Sequence, residues 1–161
     1  MLFITAILFV CVNFSFAQPV LPQRSISKTA TQGIHFGTFC LTSPAGGTVT
    51  VGYDGTRIKT GDIALLSKSP IAHPSIFEIK LCEGRMITIN FETTIQLTGS
   101  NGGSLSLKIG PTEKGINGAS FSTNSDCNFI TPLRVGGTLI IPGTAQPGTY
   151  SGSFAITFNQ Q

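Results

Sequence analysis

The sequence contains no tryptophan, only two tyrosines and two histidines, and only 11% of its 161 residues are charged. Each scarcity removes a class of protein. So little charge beside 40% hydrophobic residues excludes a disordered, solvating chain. The net charge of +3 comes from ten basic and seven acidic residues that form no basic run, which argues against nucleic acid as a partner. No window carries the 3.6-residue period of an amphipathic helix. No apolar run reaches the roughly 20 residues that a membrane-spanning helix needs.

Catalytic signatures are missing as well. There is no Gly-x-Ser-x-Gly, HExxH, calcium-binding loop or phosphate-binding glycine loop. Gly99 to Gly103 is rich in glycine, but strands flank it and no helix follows, so it reads as a hairpin turn. His35 and His73 are far apart in sequence and read as structural or solvated. The carboxylates are scattered, and nothing selects the pair that a glycosidase needs. The cysteines have neither CxxC spacing nor a nearby histidine, so no metal site is expected. The expectation is a protein that is not an enzyme and needs no cofactor or metal.

What is present points outward from the cell. Leu2 to Val12 is apolar apart from Thr5, and Ser15-Phe16-Ala17 has the small residues of a cleavage site. Residues 1–17 therefore read as a signal peptide, although the usual basic residues before the apolar stretch are missing. The exported chain begins at Gln18, in the periplasm, at the cell surface or outside, with no membrane attachment after cleavage. It keeps Cys40, Cys82 and Cys127, and an oxidising compartment suits one disulfide and one spare thiol. Cys82 precedes the turn Glu83-Gly84 and Cys127 lies in a polar run. Cys40, between Phe39 and Leu41, reads as a buried thiol. Cys82 with Cys127 is the expected pair, though a Cys40–Cys82 link closes a loop of similar length.

Glycine and proline punctuate short alternating runs. Residues 18–32 form a polar arm with Pro19 and Pro22, either loose or extended and paired with something. A single domain, residues 33–161, follows. Gly33 to Phe39 reads as a strand, and so do Thr48 to Tyr53, Ile63 to Ser67, Ile76 to Leu81 and Met86 to Phe91. Thr94 to Thr98 and the run through Leu105, Leu107 and Ile109 follow. Asp54-Gly55 is a hairpin signal because both residues tolerate positive φ. Pro111 to Gly118 reads as a loop and Ala119 to Ser122 as a short edge strand. Gly136-Gly137 reads as a bulge or tight bend between Phe129–Val135 and Thr138–Ile141. After Pro147-Gly148 one long strand is expected, with Tyr150, Gly152, Phe154, Ile156 and Phe158 on its buried face. This spacing predicts an all-β antiparallel sandwich of about eight to ten short strands.

Several segments together carry a resemblance. Phe36-Gly37-Thr38-Phe39, Gly47-Thr48-Val49-Thr50-Val51, Asp54-Gly55-Thr56-Arg57, Leu97 to Ser104, Gly136-Gly137-Thr138-Leu139 and Gly148-Thr149-Tyr150-Ser151-Gly152 occur in that order. The chain resembles a widespread family of exported bacterial proteins with a domain of unknown function, similar to fimbrial and pilin-type domains. The resemblance covers roughly residues 33–160. It implies an Ig-like or pilin-like sandwich that acts as a surface subunit or adhesive module, with no catalytic residues. Cys82 and Cys127 are not part of the shared motifs.

Two functions follow as expectations. One is a structural or adhesive subunit that pairs its edge strands with itself or with other surface proteins. Val20, Leu21 and Ile26 of the arm, or the C-terminal strand, would be exchanged. The other is a monomeric binding module for a glycan or a surface protein. Its contacts would lie in Tyr53 to Arg57 and Ser69 to Ser75, with Tyr53 as the exposed aromatic contact.

Overall fold

The computed structural model describes residues 26–81, 85–126 and 128–160. The signal segment, Val20, Leu21, Cys82 and Cys127 lie outside the described residues, so the signal-peptide and disulfide expectations fall outside them too. The described chain is all-β. Its strands in order are β1 (Ser27–Gln32), β2 (Thr38–Leu41), β3 (Gly47–Val51), β4 (Arg57–Gly61) and β5 (Ile63–Leu66). Then come β6 (Ser75–Lys80), β7 (Met86–Phe91), β8 (Thr94–Gly99), β9 (Ser104–Thr112) and β10 (Ser120–Ser122). The last are β11 (Thr131–Ile141), β12 (Tyr150–Ser151) and β13 (Ile156–Gln160). Every pairing between strands is antiparallel.

The fold is a sandwich of unequal layers. The large sheet runs β1-β6-β11-β9-β8-β12, with β3 and β4 branching from β11. The small sheet is β10-β7-β13, and β2 pairs with β5. Alternation places Ile87, Ile89 and Phe91 of β7, Leu105 and Leu107 of β9, and Leu133, Val135 and Leu139 of β11 in the interior. Burying one such side chain stabilises the fold by about 1.5–3 kcal/mol, before chain entropy opposes it. The layers meet where Phe77 of β6 contacts Phe154 and Phe158 edge-on, with ring centroids 6.0 and 6.4 Å away.

Gly136-Gly137 lies where β11 changes partner. Thr131 to Val135 pair with β6, and Gly137 to Ile141 pair with β3, while β9 runs along the other side with a register shift between Val135 and Gly137. A Cβ on Gly136 would sit 2.6 Å from the Val51 carbonyl oxygen, so no other residue allows β3 to come this close. Pro132 fits inside β11 because it faces Glu78 at a position where no ladder bond is made. The bonding residues of β6 toward β11 are therefore Ser75, Phe77 and Ile79. Ile76, Glu78 and Lys80 bond β1.

Three expectations are corrected. The C-terminal run is not one strand: Tyr150–Ser151 pairs with β8 in the large sheet, and Ile156–Gln160 pairs with β7 in the small one. The intervening residues, Gly152 to Ala155, carry the chain across the sandwich: Gly152, expected on the buried face, is exposed, while Phe154 is half-buried and Ile156 and Phe158 are buried. Second, Cys40 is exposed, not buried. Among the described residues β2 pairs with β5 alone, and Phe39 and Leu41 on either side of Cys40 are the residues that pack on the core. Third, Gly33 to Phe39 is not a continuous strand. It contains one isolated bridge at His35 before β2 begins.

Part of the polar arm is structured. Ser27 to Gln32 form β1 on the outer edge of β6, and Ile26 packs against the chain's own core. In the small sheet, β13 lies at an edge opposite β10. Ile89 N–H donates to Ala119 O at 3.0 Å and Gly118 N–H donates to Ile89 O at 2.8 Å, so Ile89 bonds on its β10 side. Alternation then leaves Thr88 and Asn90 to bond Asn159 and Thr157 of β13. The backbone groups of Ile156, Phe158 and Gln160 point the other way, where no described strand pairs with them.

Candidate functional site

The Tyr53 region is built by the β3–β4 hairpin. Gly52 N–H donates to Thr56 O at 2.8 Å and Gly55 N–H donates to Gly52 O at 3.0 Å. Gly55 has φ +86°, the left-handed geometry that the Asp54-Gly55 pair anticipates. Asp54 fastens the tip: its Oδ1 accepts from Thr56 N–H at 3.0 Å and from the Thr56 hydroxyl at 2.7 Å. These bonds to Thr56 hold the Asp54 carboxyl below its ordinary pKa.

Tyr53 is 41% exposed at this tip. It borders an open depression of about 540 Å³ that Asp54, Gln32, Ile76, Glu113 and Arg134 also line. Arg134 Nη1 donates to Glu113 Oε2 at 3.1 Å, and Glu113 N–H donates to Arg134 O at 3.0 Å. Gln32 Nε2 donates to Pro74 O at 2.7 Å and ties β1 to the residues before β6. An aromatic ring beside a carboxylate, a guanidinium and an amide can stack on an apolar face and hydrogen-bond hydroxyls. Nothing in the arrangement pairs a nucleophile with a base.

Of the expected contact loops, Tyr53 to Gly55 and Pro74 meet at this depression, while Arg57 does not join them. The Arg57 guanidinium turns inward to the carbonyls of Thr38 (2.8 Å) and Leu66 (3.2 Å), and burial lowers its pKa. Ile71, in the second loop, is 79% exposed and does not line the depression. Glu113, Arg134 and Gln32 were not anticipated. Arg134 alternates with the buried Leu133 and Val135, which places it on the outer face of β11, but only folding brings Glu113 across from it.

The two histidines, remote in sequence, meet. His35 and His73 exchange both backbone hydrogen bonds at 2.9 Å, and their ring centroids lie 5.7 Å apart. Burial first, then the charges of His73 and Arg57, lowers the His35 pKa from its ordinary 6.5. Among the described residues no group of three or more His, Cys, Asp or Glu gathers in metal-binding proximity.

A family model described as Domain of unknown function (DUF4402) matches residues 26–159. The chain belongs to this family. The DUF4402 match begins at Ile26, just before β1, and ends within β13, so it takes in the β1 edge, most of β13 and the Tyr53 depression. No curated protein and no solved structure matches the chain.

Proposed function

We propose that this DUF4402 chain is a non-enzymatic, exported structural or adhesive protein, a pilin-like subunit that joins copies of itself or other surface proteins by strand pairing. The observation that carries this reading is the open side of β13. Ile156, Phe158 and Gln160 present unpaired backbone donors and acceptors there, and two of these residues have buried side chains that fix the strand in place. An incoming strand finds a rigid, pre-formed edge, which lowers the ordering cost of association. β13 carries none of the lysines or prolines with which monomeric sheets commonly blunt an edge.

Light scattering after size exclusion tests this. Gln160→Pro removes one outward N–H without touching the ladder to β7. The exported chain is expected to form oligomers that Gln160→Pro weakens. A strict monomer at every concentration tested defeats the homopolymer form of the proposal.

A second reading, a binding module for a glycan or surface protein, rests on the Tyr53 depression. It is favoured by the polar groups of Gln32, Asp54, Glu113 and Arg134 that converge beside one exposed ring.

A further inference from the structure

β1 is an exposed edge strand that, among the described residues, pairs with β6 alone. Its C-terminal end is fastened by a separate device. Three residues after Gln32, His35 bonds to His73 through both backbone groups, and two residues after His73 the chain enters β6. The bridge therefore clamps the exit of β1 to the entrance of its only partner strand.

Beside the clamp, the His35 ring makes a contact that requires one protonation state. His35 Nδ1 accepts from Gly37 N–H at 2.8 Å, so it carries no proton and the ring proton is on Nε2. This contact spans two residues, like the side-chain acceptor of an Asx turn. It holds Gly37 at φ +69° with the Arg57 guanidinium packed against it: a Cβ at Gly37 would lie 3.0 Å from Arg57 Cζ. On the other side, His73 Nδ1 faces Pro74 O at 3.3 Å, and since a carbonyl only accepts, that nitrogen is the donor.

The groups that act on His35 are all basic. They are His73, from the segment before β6, and Arg57, from β4. β2 and β5 carry no charged side chain; Lys28 and Lys80 lie toward the far end of the β1–β6 register and Glu78 midway along it, while Asp54, Glu113 and Arg134 line the depression beside Pro74.

We propose that the His35–His73 bridge is an acid-sensitive latch on β1. A proton added at His35 Nδ1 turns the acceptor into a donor that faces the Gly37 N–H, so that bond must break. The new charge also faces His73 and Arg57. The segment from Gly33 to Gly37 then lets go, and β1 loses the anchor at its C-terminal end. The backbone groups of Ile76, Glu78 and Lys80 on β6 become open to another strand. The latch stands without the assembly reading; that last consequence alone rests on it.

Hydrogen exchange on the full chain tests the latch, read at about pH 7.5 and about pH 5 and corrected for intrinsic rates, with the histidine rings titrated by NMR. In the wild type, protection over residues 27–37 is expected to fall at least severalfold on acidification, with the midpoint of His35 titration, while β7 and β9 keep theirs. His35→Asn keeps an acceptor for Gly37 N–H but cannot take the proton, so its protection is expected not to change with pH. Constant protection in the wild type overturns the proposal, and so does an equal loss in His35→Asn. Should the Asn variant be unprotected at both pH values, the wild type decides: loss that does not track His35 titration overturns the latch. Light scattering at the same two pH values reads assembly separately, so exchange that responds while mass does not rejects only the pairing of another strand with the opened edge of β6, and leaves both the latch and the β13 reading standing.

Discussion

The Phe158 ring stands edge-on to Phe77, 6.4 Å away, and couples the last strand of the small sheet to the large one. Phe154 meets the same ring at 6.0 Å. Phe77 thus receives both phenylalanines of the C-terminal segment, one from the crossing and one from β13. Phe158 is 6% exposed. Phe158→Ala should cost about 3–5 kcal/mol, the usual range for a buried phenylalanine. Chemical denaturation at constant m-value measures it. A cost below about 1 kcal/mol would mean that β13 contributes little to closing the sandwich.

A tighter contact joins two turns. A Cβ on Gly143 would fall 1.6 Å from the Pro44 carbonyl oxygen, a backbone atom that cannot rotate away. Gly143→Ala must push apart the turn after β2 and the turn after β11. The expected loss is about 1–3 kcal/mol. Gly33→Ala is the matched control, because nothing lies within 4 Å of its Cβ position. Its effect should stay within about 0.5 kcal/mol. Equal thermal shifts in the two variants would refute the contact.

The sequence pattern carried the sheets further than the sites. Buried alternation in β7, β8 and β9 could be read residue by residue, since one-sided burial leaves a period of two. Gly136-Gly137 was legible as a break in β11, but not as the point where one neighbour replaces another. β4 was hidden: Arg57 to Gly61 is an edge strand with almost no buried face, so burial imposes no pattern on it. The C-terminal run misled for the opposite reason. Its alternation is continuous in the sequence although its pairing is not: Phe154, Ile156 and Phe158 keep facing inward after the crossing, and Gly152, which has no side chain to bury, hides the break. Tyr53 and its hairpin were readable from local turn chemistry. Arg134 with Glu113, and His35 with His73, are made by strand register across large sequence separations, and no local signal encodes them.

The Tyr53 depression predicts a selective effect. Tyr53 sits at a hairpin tip whose bonds come from Gly52, Asp54, Gly55 and Thr56, not from its own ring. Tyr53→Ala should therefore leave thermal stability nearly unchanged. If the binding-module reading holds, it should weaken capture of a glycan or surface-protein ligand by about tenfold or more, the scale of an aromatic hot spot. Unchanged affinity in a folded variant would remove Tyr53 from the contact surface.

Stability should also depend on pH through His35. Its folded pKa is depressed below the ordinary 6.5, by burial first and then by His73 and Arg57. Below about pH 6.5 the unfolded chain takes up a proton that the folded chain resists, so the unfolded state gains. The contribution of His35 is whole above 6.5 and is lost as pH falls through the folded value. Asp54 acts in the same direction but lower, as pH falls below its ordinary 3.8, so the two windows separate. The wild-type melting temperature should drop between about pH 7.5 and about pH 5, and His35→Asn should flatten that slope. His73→Asn removes one of the two charges acting on His35, so it should move the midpoint of the drop upward toward 6.5 without abolishing it. A slope that survives His35→Asn in full would place the acid sensitivity elsewhere in the molecule.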